Sequence, residues 1–380
     1  MATRSNIKAL VAMGTRPECI KMAPVIHALN NHTEFDCTVL STGQHANILD
    51  QMSDFFQLKI DYQFNAMAAK PNLLGLSQRV LLEAEKLFEK IEKPDVILVQ
   101  GDTTTAFLLA LVGFYNQISV AHVEAGLRTS NPKLPFPEEM NRRLISRVAD
   151  FHFAPTKRAF DGLISEGIDS SSIFNSGNTI VDAQKWTLSK IEENPLCVSS
   201  EVRGLLSENG NKKVVVLTCH RRENWDNLEE IFSAINEFFH THSNYTVIYP
   251  VHPNPVVKNA ATKILGKTKN VKLIDAVDYP SMNELLVRSH FVITDSGGIQ
   301  EEVIALGKPV IVLRDETERP EVIECGLGKL VGTSSDKIQE ILNATAKGEW
   351  YGLNSSNSQP YGSGQAAIKI ADYLFRKLGV

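Results

Sequence analysis

With 380 residues the chain is too long for one ordinary hydrophobic core, so two domains are the natural expectation. Its hydrophobic share of 43% and charged share of 22% are those of a soluble globular protein, and a net charge of −5 gives no reason to expect nucleic acid or an anionic membrane as partner. Five scattered cysteines with no C-x-x-C pair argue against a disulfide framework or a zinc site and suit a cytoplasmic protein, and neither a signal peptide nor a run of about 18 apolar residues is present.

Ile7 to Met13 is apolar except for Lys8, as a central parallel strand would be. Gly14-Thr15-Arg16-Pro17-Glu18 follows; Pro17 suits the start of a helix, and Met22, Ile26 and Leu29 mark one helical face. This strand–loop–helix start lacks G-x-G-x-x-G, which disfavours a dinucleotide site. The alternation continues with a strand at Cys37–Thr42, helices near Ala46–Phe56 and Leu76–Ile91, and a strand at Asp95–Gln100. That pattern argues for an α/β fold with a doubly wound parallel sheet. Two strand ends then carry polar clusters: Val96–Gln100 runs into Gly101-Asp102-Thr103, and Ile118–Ala121 runs into His122-Val123-Glu124. Ligands of open α/β sheets sit beyond the carboxyl ends of strands, so Asp102 and Glu124 project where chemistry belongs. Asp102 can equally cap a helix, and Glu124 can equally pair with Arg128 or Arg142. A loop with Pro132, Pro135 and Pro137 delivers Glu138 and Glu139 to a helix start, where one of the two serves the helix dipole. His152, between two aromatic residues of a strand, reads as structural. The domain boundary is expected near Asn175–Asp182, giving a first domain of residues 1–178.

The second half, residues 179–360, restarts the alternation. Strand Val214–Thr218 ends at His220-Arg221-Arg222, Thr246–Tyr249 ends at His252, and Val271–Ile274 precedes an Asp278-Tyr279-Pro280 turn. His290–Ile293 then meets Ser296-Gly297-Gly298, followed by helical spacing from Ile299 to Leu306. A strand turning through two glycines into a helix aims backbone N–H groups and the positive helix end at one spot, which suits phosphate; a mere tight turn has the same sequence. Glu302, on the first turn, can accept from sugar hydroxyls. Strand Pro309–Leu313 leads to Arg319. His122, His220 and His252 lie on separate loops without metal-ligand spacing, so no metal is expected. The tail, residues 361–380, reads as a loop and a last helix (Ala366–Leu378) packing back on the first domain. Two Rossmann-like halves place one site in the cleft between them, phosphates on the second half and the carboxylates Asp102, Glu124 and Glu138 on the first.

Read together, Gly14–Glu18, Gln100–Thr104, His122–Arg128, Pro135–Arg142, His220–Asn224, His252–Pro255, Thr294–Glu302 and Arg319–Glu321 resemble the non-hydrolysing UDP-N-acetylglucosamine 2-epimerases of bacteria, in family order. The resemblance implies the GT-B fold, no cofactor, a homodimer, and interconversion of UDP-GlcNAc and UDP-ManNAc for surface polysaccharide. By position it implies Asp102, Glu124 and Glu138 as acid/base groups and His220 at the leaving phosphate with Arg16. Lys21, Ser296, Gly297, Gly298, Glu302 and Arg319 fall at substrate positions. Gln44, His45, Arg221 and His252 match residues that bind a second UDP-GlcNAc as an allosteric activator in some members. Val277 and Met282 depart from enterobacterial members, which have glutamine and phenylalanine at the uracil, so the resemblance does not carry those side-chain contacts to the base over to this chain. The rival readings are a hydrolysing epimerase, an epimerase of a modified UDP-sugar, a GT-B glycosyltransferase and a nucleotide-sugar sensor. Three carboxylates in the first half speak against the transferase, which needs one base, and buried carboxylates without a task against the sensor.

Overall fold

The computed structural model describes residues 6–43, 46–65, 72–129, 131–350 and 359–379. The chain forms two compact units, Met1–Ala183 together with Tyr361–Val380, and Gln184–Pro360. Among the described residues, the strands of the first unit are β1 (Ile7–Met13), β2 (Phe35–Ser41), β3 (Tyr62–Gln63), β4 (Val96–Gln100), β5 (Ser119–Val123), β6 (Phe151–Ala154) and β7 (Ile173–Asn175). They lie in the order β3-β2-β1-β4-β5-β6-β7, all parallel. The strands of the second unit are β8 (Lys213–Thr218), β9 (Tyr245–Val251), β10 (Val271–Asp275), β11 (Ser289–Thr294), β12 (Val310–Val312) and β13 (Gly328–Leu330), ordered β10-β9-β8-β11-β12-β13 and again all parallel.

Both sheets grow outward from their first strand, return, and grow the other way. The direction reverses between β1 and β4 in one unit and between β8 and β11 in the other. Helices that leave neighbouring strands at such a point diverge onto opposite faces and open a crevice at the carboxyl ends. β4 is buried along its whole length, as a strand covered on both faces must be. In the second unit Phe232, Tyr249, Phe291 and Ile311 belong to one buried core.

The units divide at Ala183, inside the helix Thr179–Glu193, five residues beyond the expected turn at Asn178. The reason is packing: Ile180, Val181 and Ala183 are buried, and Asp182 accepts hydrogen bonds from the Ala366 (3.2 Å) and Ala367 (3.0 Å) amides at the start of the last helix. That helix, Ala366–Leu378, stacks Tyr373 on Phe174 (ring centroids 4.9 Å apart) and sets Phe375 against His32 (4.8 Å).

Candidate active site

In the first unit the reversal point carries Gly14-Thr15-Arg16 beyond β1 and Gly101-Asp102 beyond β4. Buried Glu18 ties the two loops together. Its carboxylate accepts from the amides of Gly14 (3.0 Å) and Thr15 (2.7 Å) and from the Thr103 hydroxyl (2.7 Å), and burial raises its pKa above the usual carboxylate range. Gly14 is packed so tightly that a Cβ there would stand 2.1 Å from Thr42 Oγ1. Arg16, exposed at the first position of the helix Arg16–Asn30, makes no hydrogen bond or ion pair among the described residues.

Asp102 is not the cap of the following helix. Thr103 is, its hydroxyl accepting from the Ala106 amide at 3.0 Å. The Asp102 carboxylate pairs instead with Arg142, while its carbonyl accepts from Asn141 Nδ2 at 2.9 Å. Glu124, at the end of β5, holds the left-handed backbone conformation (φ 63°) that side chains other than glycine rarely adopt. Its buried carboxylate pairs with Lys21 Nζ at 2.5 Å and accepts from Gln100. Arg128 goes elsewhere, gripping Glu166 at 2.7 Å. A Cβ on Gly101 would lie 3.8 Å from Glu124 Oε2, so Glu124 borders the Asp102 loop. Of the acidic pair at the helix Glu138–Val148, Glu139 is structural: fully buried, it pairs with Arg143 (2.7 Å) and Arg142 (3.2 Å). Glu138 is half-buried and makes no hydrogen bond or ion pair among the described residues. Because Asn141 and Arg142 of that helix bind Asp102, the unpaired carboxylate belongs to an element docked on the Asp102 loop.

In the second unit β8 and β11 end side by side at His220 and at Asp295-Ser296. Asp295 is fully buried and organises the His220 loop. Its Oδ2 accepts from the amides of His220 and Arg221 (both 2.8 Å) and from Asn224 Nδ2 (3.1 Å), and Oδ1 lies 3.2 Å from His220 Nδ1. Burial alone would raise the Asp295 pKa, but these hydrogen bonds outweigh it and hold the carboxylate ionised. The His220 side chain stays 38% exposed, so its ring can meet an outside partner. The ring of His252 stacks on His220, centroids 5.5 Å apart.

The helix beside this loop begins at Gly297 rather than Ile299 and runs Gly297–Ala305. Ser296 makes no side-chain cap hydrogen bond, and the first amides of any helix lack helical acceptors. A Cβ on Gly298 would meet nothing within 4 Å, so the chain is open there. Arg319 lies against Gly297, where a Cβ would stand 2.5 Å from its Nη1, and its Nε donates to buried Glu301 at 2.7 Å. Glu302 is buried on the same helix. Val277, just before the cap Asp278, and Met282, inside the helix Tyr279–Arg288 that Asp278 caps, are both half-buried. Gln44 and His45 lie outside the described residues. Sequence reasoning passed over Asp295 and Gln100, the partners that orient His220 and Glu124, and offered Arg142 to Glu124 although it pairs with Asp102. Each stands within or beside a motif already singled out, and only spatial pairing separates it from its neighbours.

Two parallel sheets of Rossmann order, each with its polar side chains beyond the reversal point, define the GT-B class of α/β fold. The family model for UDP-N-acetylglucosamine 2-epimerase matches residues 27–375. The chain is 42% identical over 376 residues to the UDP-N-acetylglucosamine 2-epimerase of Bacillus subtilis, covering 98% of this chain and 96% of that one. It also resembles the crystal structure of UDP-GlcNAc 2-epimerase from Neisseria meningitidis bound to UDP-GlcNAc (TM-score 0.91, 39% identity, 97% of this chain and 100% of that one). The S. aureus MnaA–UDP co-structure is similar as well (TM-score 0.88, 38% identity, 98% and 97% covered). The chain belongs to the UDP-N-acetylglucosamine 2-epimerase family.

Proposed function

We propose that the protein interconverts UDP-GlcNAc and UDP-ManNAc without net hydrolysis. A carboxylate of the first unit removes the proton at C2 while the C1–O bond to UDP breaks, leaving 2-acetamidoglucal and UDP. UDP oxygen then re-adds to C1 as a proton returns to the opposite face of C2. Asp102, Glu124 and Glu138 are the acid/base groups. Ser296, Gly297 and Gly298 hold the diphosphate, the two glycines by backbone N–H groups; Arg16 helps His220 at the leaving phosphate, Arg319 assists at the nucleotide or sugar, Lys21 lies at a further substrate position, and Glu302 holds the ribose. The observation that carries this reading is His220, its loop held by buried Asp295 and its side chain 38% exposed, at the end of the strand paired with the one that leads into the open turn at Gly298. An imidazole beside helix amides that lack helical acceptors suits a departing phosphate.

Arg221 and His252 fit a second UDP-GlcNAc acting as activator, His252 being stacked on the proposed phosphate-binding His220. The product serves surface polysaccharide in the cytoplasm that the free cysteines suit. For the homodimer, exposed Leu82, Phe114 and Tyr115 on two packed helices offer an apolar face, and Leu82→Glu with Phe114→Glu is expected to yield monomers in light scattering.

The decisive experiment follows UDP-GlcNAc in heavy water by NMR. Deuterium at C2 with UDP-ManNAc, and no free ManNAc, is expected; accumulating free ManNAc would make the enzyme hydrolysing. Asp102→Asn is expected to lose the exchange while still binding UDP, whereas a sensor would show no exchange in either protein.

A further inference from the structure

Four charged side chains of the second unit meet beside the start of the helix Gly297–Ala305, and the role of one of them is still open. Glu318 is nearly buried, its side chain 8% exposed. Its Oε1 accepts from both Arg319 Nη1 (2.5 Å) and Arg221 Nη2 (3.4 Å), and its Oε2 from Arg314 Nη1 (2.7 Å). One carboxylate thus joins guanidiniums from three different places: beyond β8, beyond β12, and beside the helix start. The same Oε1 would lie 3.1 Å from a Cβ on Gly297, which fixes the whole cluster against the turn.

Three guanidiniums this close repel one another, and none can lose its proton. Without a shared anion they would splay apart into solvent, and a diphosphate would have to gather them again at an entropic cost. Glu301 orients only Arg319, and Glu223 lies 2.9 Å from Arg314 and 3.7 Å from Arg221 but is half exposed. Glu318 alone touches all three.

We propose that Glu318 is a positioning residue for the leaving group: it holds Arg314 and Arg319 in a fixed fan and anchors Arg221 beside them for the activator, so that the departing UDP meets guanidiniums already aimed. This rests on the reading that the diphosphate docks at Gly297–Gly298. Preorganised charge matters most where charge develops, so the effect belongs mainly in kcat.

The test compares wild type with Glu318→Gln, Glu318→Asp and Arg314→Gln, measuring kcat, KM and UDP affinity by calorimetry at low and high salt. Glu318→Gln keeps the shape and loses the charge. It is expected to lower kcat at least tenfold, to change KM less than threefold, and to make UDP binding more salt-sensitive, because the arginines are no longer neutralised. Glu318→Asp, which restores the charge, is expected to regain part of kcat, and Arg314→Gln to lower it about threefold. A folded Glu318→Gln protein with wild-type kcat would overturn the proposal. Should that variant fail to fold, unchanged kcat in both Glu318→Asp and Arg314→Gln would do so. If wild type binds no UDP at all, the docking reading fails first, and its failure is seen without any variant.

Discussion

Glu124 shows how a single residue is held where its backbone would not choose to be. A left-handed conformation costs a non-glycine residue roughly 1–2 kcal/mol, and it persists only when the surroundings over-determine it. Here Lys21 and Gln100 fix the carboxylate, and β5 fixes the backbone up to Val123. Both ions of the Lys21–Glu124 pair are buried, so removing one leaves an uncompensated charge. Lys21→Met is therefore expected to destabilise the first unit by about 3–5 kcal/mol in urea denaturation. Adding Glu124→Gln should recover at least half of that, since no buried charge remains. If the single variant is as stable as wild type, the pair is not the constraint described. The sequence offered Arg128 or Arg142 as partners for Glu124, both close in the chain. Lys21 lies 103 positions away and is brought in by the adjacency of β1, β4 and β5, which no local pattern encodes.

Element existence was more legible than element bounds. The helix Ala366–Leu378 and the strand β1 fall where the sequence put them, whereas the helix Leu73–Phe88 starts and ends three residues before the expected Leu76–Ile91. Strands β3, β7 and β13 have two or three residues each, too few to show a period, and escaped notice. The helix of the phosphate turn was placed two residues late because glycine counts against helix by propensity, although both glycines are helical. Their identity answers to the site instead. Gly297 has Arg319 against it, while Gly298 faces open space. Gly298→Ala should accordingly leave the protein as stable as wild type, or slightly more so by about 0.4–1 kcal/mol, because alanine restricts the unfolded chain. A methyl group standing where the diphosphate docks is nevertheless expected to weaken UDP binding at least tenfold. Thermal denaturation and calorimetry on the same sample check both halves. A Gly298→Ala protein with undiminished UDP affinity would remove the diphosphate from that turn.

At the scale of the whole molecule, the two sheets share one strand order although the two halves show no sequence repeat, so their likeness lies in topology rather than in residues. What such sheets bury sets how the molecule answers to pH. His122 on β5 and His152 on β6 are register partners, both almost wholly buried. His122 Nε2 donates to the Gly101 carbonyl (2.7 Å), and so braces the loop that carries Asp102, while His152 Nε2 meets the Ser146 carbonyl (3.1 Å). Burial, with Arg128 nearby and Arg142 also near His122, pushes their pKa values down to about 3 and about 4. The unfolded chain takes up these protons near pH 6.5, and the folded chain does not. Stability is therefore fully present above about pH 6.5 and falls as the pH drops toward the folded values, by up to roughly 1.4 kcal/mol per unit for each histidine. Between pH 7.5 and 5.5 the first unit is expected to lose about 3 kcal/mol from the pair, following the same relation. His122→Gln, whose amide can still donate to Gly101, should lose only about half as much over that interval. Urea denaturation at the two pH values, following the transition of the first unit, measures the difference. An equal loss in both proteins would mean that His122 is not among the groups taking up protons on unfolding.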